Sequence, residues 1–216
     1  MLTTDSKIEE YILGHIDSEP DNLHRLYRRV NTELLYSRMC SGHLQGRMLK
    51  MLVRMVRPQR VLELGTYAGY SALCIAEGLA DDSCTVDTIE VEDELEDFIT
   101  RSLDDSEYGS RVRLHIGDAM ELLPRLLGEN SYDMVYVDAN KRHYVEYYNL
   151  LVDRLRSGAF ILADNTLWDG KVADGNSHND AQTRGIMAFN DLVAADDRVE
   201  KVILPMRDGL TLIYKK

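Results

Sequence analysis

Arg60-Val61-Leu62-Glu63-Leu64-Gly65-Thr66-Tyr67-Ala68-Gly69-Tyr70-Ser71 is the stretch that decides the fold. It opens on a short apolar run, breaks at Gly65, and resumes at Tyr70 with a helical pattern that reaches Leu79. Strand, glycine turn and helix in that order make the front of a βαβ unit. The alternation repeats downstream. Apolar runs at Thr85–Ile89, Val112–Ile116, Met134–Val137 and Ala159–Ala163 alternate with helical patterns at Glu94–Leu103, Ala119–Leu127 and Tyr144–Leu155. A last helix near Gln182–Val193 precedes two runs, Val199–Leu204 and Leu210–Tyr214, with Arg207-Asp208-Gly209 between them. A turn that short permits an antiparallel hairpin, whereas a parallel pair needs a crossover of roughly a dozen residues or more. The expected fold is α/β: a doubly wound, mostly parallel sheet with a C-terminal antiparallel hairpin.

Upstream of Pro58 the pattern is helical. Lys7 to Ile16 is a short amphipathic stretch, and Pro20-Asp21 can start a second helix carrying Leu23, Leu26, Val30 and Leu34. A third begins near Gly42 and carries Leu44, Met48, Met51, Leu52 and Met55. The four prolines are scattered, and none is expected inside a strongly periodic segment. No repeat or low-complexity linker divides the 216 residues. The expected organisation is one domain over 1–216, with a helical cap at 1–57 and an α/β core at 58–216.

Composition excludes several function classes. Hydrophobic residues are 44% and charged residues 29%, enough for a real core. Asp plus Glu is 37 against 25 Lys plus Arg, a net charge of −12. Nucleic acid and anionic membranes are poor partners for such a chain, because phosphate contacts need clustered Lys and Arg. No apolar run approaches the ~20 residues of a membrane span. Met1-Leu2-Thr3-Thr4-Asp5-Ser6 lacks the basic flank and apolar run of a secretion signal. The three cysteines, Cys40, Cys74 and Cys84, are odd in number and show no C-x-x-C spacing. They read as small apolar fillers in a protein of the reducing cytoplasm.

The chemistry-bearing residues cluster at the strand ends, where open α/β sheets bind ligands. Gly65 and Gly69 make a G-x-x-x-G, not the G-x-G-x-x-G of a dinucleotide cradle, and Glu63 beside them would oppose a phosphate. The turn suits a ligand with a cationic or hydroxylated head; the alternative is a plain turn glycine followed by a packing glycine. Glu90, 25 residues after Gly65, ends the second strand, where a carboxylate can accept hydrogen bonds from both hydroxyls of a ribose. It is equally placed to be one of a solvated acidic run with Glu92, Asp93 and Glu94. Asp118, with Ala119 after it, could meet an adenine edge, cap the next helix, or do both. Asp138 follows the fourth strand, and Asp164-Asn165 follow the fifth. If those strands are neighbours, two carboxylates and an amide oxygen converge. These are hard ligands for Mg²⁺, Mn²⁺ or Ca²⁺; both aspartates acting as helix caps is the alternative. Lys141, three residues past Asp138, would have its pKa lowered beside a cation, as a general base requires; it reads as readily as a surface lysine.

Taken in order, these segments resemble the metal-dependent, class I S-adenosylmethionine O-methyltransferases of the caffeoyl-CoA and catechol type. The likeness runs from about Ser41 to the C-terminus. It rests on Gly42-His43-Leu44-Gln45-Gly46, Leu62–Leu73, Val137-Asp138-Ala139-Asn140-Lys141, Asp164–Val172 and Asp208-Gly209-Leu210. The resemblance implies a Rossmann-like methyltransferase sheet under an N-terminal helical cap. It implies that Glu63, Gly65, Tyr67 and Ser71 line the methionine part of S-adenosylmethionine, that Glu90 holds its ribose, and that Asp118 and Ala119 border its adenine. Met39 and Ser41 would sit near the methyl donor. Asp138, Asp164 and Asn165 would bind the divalent cation, and Lys141 matches the family's candidate general base. Asn140 stands where many caffeoyl-CoA-type relatives have aspartate, a departure that bears on whatever contact that second carboxylate makes. Acceptor choice is implied to lie in the N-terminal segment and the loop around Trp168–Asn176.

The implied reaction is methylation of one hydroxyl of a catechol-like small molecule by a homodimer that meets through its N-terminal helices and C-terminal hairpin. Met39 and Trp168 are candidate apolar walls for the aromatic ring, with ordinary packing as the alternative. Two other functions compete. A non-catalytic S-adenosylmethionine-binding protein would keep the cofactor site, and an NAD-dependent dehydrogenase would share the fold but lacks its glycine fingerprint.

Overall fold

The computed structural model describes residues 6–174 and 180–216. They form two compact units, one ending at Asp118 and the other beginning at Ala119.

The first unit opens with α1 (Ser6–Leu13) and α2 (Asp21–Glu33). Leu23, Leu26 and Val30 form the buried stripe of α2, as the spacing predicts. Leu34 instead caps the helix in an extended conformation. The third helix, α3 (Gly42–Val56), starts where the sequence places it. The buried side is Gln45, Gly46, Arg47, Leu49 and Val53, while Met51 and Met55 face outward. The reason lies in α4 (Tyr70–Gly78). A Cβ on Gly46 would come within 2.7 Å of Cys74 Sγ and 3.0 Å of Tyr70 Cε1, so only glycine allows this approach. Arg47 is buried because Glu77 meets it at 2.7 Å, with Lys50 at 2.5 Å from the same carboxylate. Burial pushes the Glu77 carboxyl up, but the hydrogen bonds from Arg47 and Lys50 outweigh it and hold it below the usual range.

Three parallel strands complete this unit: β1 (Arg60–Leu64), β2 (Thr85–Glu90) and β3 (Val112–Ile116), in the order β3-β2-β1. Between β2 and β3 lies α5 (Glu96–Asp104). Cys40, Cys74 and Cys84 are buried free thiols, the filler role expected of them.

The second unit alternates α6 (Ala119–Glu129), β4 (Met134–Val137), α7 (Tyr144–Arg154), β5 (Phe160–Asp164), α8 (Ala181–Ala195), β6 (Val199–Leu204) and β7 (Leu210–Lys215). Contrary to expectation, Pro124 lies inside α6. Parallel β4 and β5 are neighbours, β7 pairs antiparallel with β5, and β6 with β7. Within this unit the order is β4-β5-β7-β6. Parallel strands alternating with helices in both units, together with the C-terminal antiparallel hairpin, are the doubly wound, mostly parallel fold that the sequence predicts. Among the described residues no helix is long and apolar enough to cross a membrane.

Candidate active site

In the first unit the turn after β1 is built on left-handed backbone at Gly65 (φ 97°), Tyr67 (φ 52°) and Gly69 (φ 81°). For the bulky Tyr67 that conformation is strained and must be held by its surroundings. The holding contacts are visible. The amides of Gly65 and Thr66 both donate to the carbonyl of Ile89, at 3.0 and 3.2 Å. The amide of Tyr67 donates to Glu90 Oε2 at 2.6 Å, and the amide of Glu92 donates to Glu90 Oε1 at 3.0 Å. Each Glu90 oxygen thus accepts one backbone hydrogen bond and keeps lone-pair capacity for a neighbouring diol.

Glu63 lies beneath, fully buried, and accepts from Thr88 Oγ1 at 2.5 Å. Thr88 is in turn 2.6 Å from Thr66 Oγ1. This hydroxyl chain ties the turn to the carboxylate below it. Ser71 is buried on the first turn of α4. Ser41 is buried just before α3, whereas Met39, in a 3-10 turn, is 58% exposed. Asp118 is exposed after Gly117, whose amide donates to the Glu90 carbonyl at 2.8 Å. Ala119 opens α6 and is buried. Four of the five first-unit residues assigned to the methionine and ribose contacts, Glu63, Gly65, Tyr67 and Glu90, therefore lie in two sets of hydrogen bonds that together hold the β1 turn.

In the second unit Asp138 follows the last residue of β4, and Asp164 is the last residue of β5. These strands are parallel neighbours, the condition on which convergence depended. Lys141 Nζ is 2.6 Å from Asp138 Oδ1. Asp164 is buried; its Oδ2 accepts from Tyr136 Oη at 2.7 Å, and its Oδ1 from the Asn165 amide at 2.8 Å. Tyr144 Oη lies 3.1 Å from the carbonyls of both Val137 and Asp164, joining the two strand ends. Asn165 turns the chain with a left-handed φ of 59°, which asparagine tolerates better than most residues. The chain beyond it is clamped by the hairpin turn: Thr166 donates to Gly209 O at 3.1 Å and Leu167 to Asp208 O at 2.7 Å.

Burial pushes the Asp138 carboxyl up to about 6; Lys141 opposes the rise, the nearby Asp164 charge adds to it, and Arg207 opposes it more weakly. Two carboxylates close enough for the charge of Asp164 to raise the pKa of Asp138, at the ends of neighbouring strands, offer hard oxygen donors of the kind a divalent cation takes. Among the described residues no three His, Cys, Asp or Glu side chains gather as a metal cluster.

Asn140 is not part of that set. Its exposed side chain caps the 3-10 turn Lys141–His143, accepting from the Arg142 amide at 3.2 Å. Trp168 is half-buried, with Lys171 Nζ 5.7 Å from its ring centroid. Gly175 and Asn176 of the expected acceptor loop lie outside the described residues.

Sequence reasoning missed Tyr136, Tyr144, Thr66 and Thr88. The signal for two of them was there. Tyr136 precedes Asp138 by two and Thr88 precedes Glu90 by two, and residues two apart share a face of a strand.

Comparison with known proteins identifies the family. The sequence profile of the O-methyltransferase family matches residues 14–216. A probable caffeoyl-CoA O-methyltransferase 1 of Dictyostelium discoideum is 30% identical, over 97% of this chain and 92% of that protein. A catechol O-methyltransferase of Niastella koreensis is 34% identical over 80% of each chain. The O-methyltransferase TomG of Streptomyces achromogenes, solved in complex with SAM, superposes with a TM-score of 0.89 at 28% identity, covering 97% of this chain and 96% of that one. The chain belongs to the O-methyltransferase family of the caffeoyl-CoA and catechol type, a class of S-adenosylmethionine-dependent enzymes.

Proposed function

We propose that the protein methylates one hydroxyl of a catechol-like small molecule, using S-adenosylmethionine and a divalent cation, Mg²⁺ first, with Mn²⁺ and Ca²⁺ as alternatives. The observation that carries this reading is the pair Asp138 and Asp164 at the ends of neighbouring parallel strands, with Lys141 Nζ 2.6 Å from Asp138. S-adenosylmethionine supplies an electrophilic methyl group, and a divalent cation lowers the pKa of a hydroxyl it coordinates. Asp138 and Asp164 hold the cation through carboxylate oxygens and Asn165 through its amide oxygen. Lys141, as the neutral amine, takes the acceptor's proton at Nζ.

Glu90 receives the ribose hydroxyls, Glu63, Gly65, Tyr67 and Ser71 line the methionine portion, and Asp118 and Ala119 border the adenine. Met39 and Ser41 lie toward the methyl end. Fixing donor and acceptor in near-attack geometry then provides much of the acceleration. The Niastella relative is named for catechol and the Dictyostelium relative for caffeoyl-CoA, and a vicinal pair of oxygens on an aromatic ring is the feature those acceptors share.

The test is methyl transfer to a panel of catechols and caffeoyl-type esters, with Mg²⁺ and then with excess chelator. Turnover that disappears on chelation is expected. Undiminished turnover in chelator would refute the cation role. Tight S-adenosylmethionine binding with no turnover on any acceptor would favour the non-catalytic reading.

A homodimer is part of the proposal. Ile8 and Tyr11 on α1, and Val202 and Ile203 on β6, are exposed apolar residues on the two segments expected to meet a second copy. A monomeric mass by light scattering at micromolar concentration would remove it.

A further inference from the structure

The proposed roles of Asp138, Asp164 and Asn165 leave a buried phenol beneath them unexplained. Tyr136 lies in the middle of β4 with no exposed surface. Burying a hydroxyl in a strand of apolar residues is costly unless it is hydrogen-bonded, and phenylalanine would fill the same space without that cost. The bond it makes is to one atom of the candidate site: Tyr136 Oη donates to Asp164 Oδ2 at 2.7 Å. Strand register explains the reach. Tyr136 pairs with Leu162, so Asp164 is two residues further along β5 on the same face, within the diagonal span of an aromatic side chain.

The other oxygen, Oδ1, accepts from the Asn165 amide at 2.8 Å. Each oxygen of the Asp164 carboxylate is therefore held by a donor of fixed position. Turning the carboxylate about its own axis would break both bonds. Asp138 is held differently, by the long side chain of Lys141.

We propose that Tyr136 is a positioning residue that locks the Asp164 carboxylate in the orientation from which it ligates the divalent cation. This rests on the cation site proposed above. Asp164 is then the fixed ligand of the pair, set before the cation arrives. Removing an outer hydrogen bond of this kind commonly costs about 10–100-fold in metal affinity.

The experiment is a Mn²⁺ titration of wild type and Tyr136→Phe, read by the electron paramagnetic resonance signal of free Mn²⁺. S-adenosylhomocysteine affinity and thermal midpoint are measured on the same samples. The expected result is a Mn²⁺ Kd raised about 10-fold or more, with S-adenosylhomocysteine affinity unchanged. A purely structural hydroxyl would lower the midpoint and leave the Mn²⁺ Kd alone. A Kd within twofold of a Mn²⁺-binding wild type overturns the positioning role and leaves the cation site standing. A wild type that binds no Mn²⁺ overturns both. Should Tyr136→Phe not fold, 3-fluorotyrosine at position 136 keeps the ring and makes the hydroxyl a stronger donor. A changed Mn²⁺ Kd then supports the role, and an unchanged one overturns it.

Discussion

Replacing Glu90 with glutamine removes one charge and almost no volume, and the structure allows its cost to be worked out. Both carboxylate oxygens are acceptors for backbone donors, Tyr67 N–H at 2.6 Å and Glu92 N–H at 3.0 Å. A glutamine has one acceptor oxygen and one NH2 group, so whichever way it turns, the NH2 faces an N–H. At this buried position an unsatisfied donor costs roughly 1–3 kcal/mol. The donor most exposed to that loss is Tyr67, whose left-handed φ of 52° already carries strain of order 1–3 kcal/mol. Losing its acceptor releases the turn. On the ligand side, if Glu90 receives a ribose diol, one hydroxyl would donate to the amide oxygen instead of a carboxylate and lose about 1 kcal/mol, while the other would face an NH2 that cannot accept and lose about 1 kcal/mol or more. Together these give at least about 2 kcal/mol, or roughly a 30-fold rise in Kd. The assay is calorimetric titration with S-adenosylhomocysteine, paired with a thermal melt. A Kd within about threefold of wild type, with no fall in the melting midpoint, would refute the reasoning at both steps.

Glu77→Gln leaves Arg47 and Lys50 without their buried counter-charge, and a buried pair broken on one side costs about 3 kcal/mol at neutral pH. Because Glu77 is held below the usual range, its contribution is complete above the ordinary glutamate value near 4.3 and is lost as pH falls through the lower folded value. Urea melts from pH 7 to pH 2 should show the wild-type advantage shrinking in acid, and a gap that stays constant counts against the assignment. Gly185→Ala in α8 would place a Cβ 2.3 Å from the Lys141 carbonyl, so the turn carrying Lys141 must move. About 1–3 kcal/mol of destabilisation and a fall in kcat of up to ~100-fold are expected; wild-type kcat would contradict the placement of Lys141. Asn140→Asp swaps one good cap for another on an exposed turn. It should change the thermal midpoint and kcat little, and a large gain in Mg²⁺ affinity would show that position 140 faces the cation after all.

The strands were legible because each is a short apolar run bounded by turn residues, and the β6–β7 hairpin followed from one tight turn at Arg207-Asp208-Gly209; that β7 is the strand beside β5 was not legible. The face of α3 was not legible. Its methionines have helical spacing, yet the buried side carries Gln45, Gly46 and Arg47. Periodicity cannot see that Glu77, on another helix, will neutralise Arg47, or that Cys74 needs the space left by Gly46. Pro124 misled for a related reason, because a local rule about helix breakers was applied without the surrounding packing. For the candidate site, residue types at strand ends pointed to Glu90, Asp138 and Asp164. Their supporting donors were harder to read: backbone amides have no sequence signature, and the two-residue spacing that puts Tyr136 on the face of Asp138 does not say that its hydroxyl reaches Asp164 on the neighbouring strand.

Those supporting donors separate the carboxylates by how firmly they are held. Glu90 is gripped by two backbone amides, one of them from a strained residue, so its position is set by the chain path itself. Asp164 is gripped by one backbone amide and one buried phenol. Among the described residues the flexible Lys141 is what hydrogen-bonds the Asp138 carboxylate, and that carboxyl is raised by burial. A carboxylate that must hold one ligand geometry gains from fixed donors, because the ordering is complete before binding. A carboxylate beside a proton-accepting lysine has a different task. Lys141 can act as a base only after giving up its proton and its ion pair, and a partner held by one long side chain permits that exchange without breaking any backbone hydrogen bond. The firmness of each carboxylate thus follows its proposed role, with rigid donors where a ligand is oriented and a loose one where a proton moves.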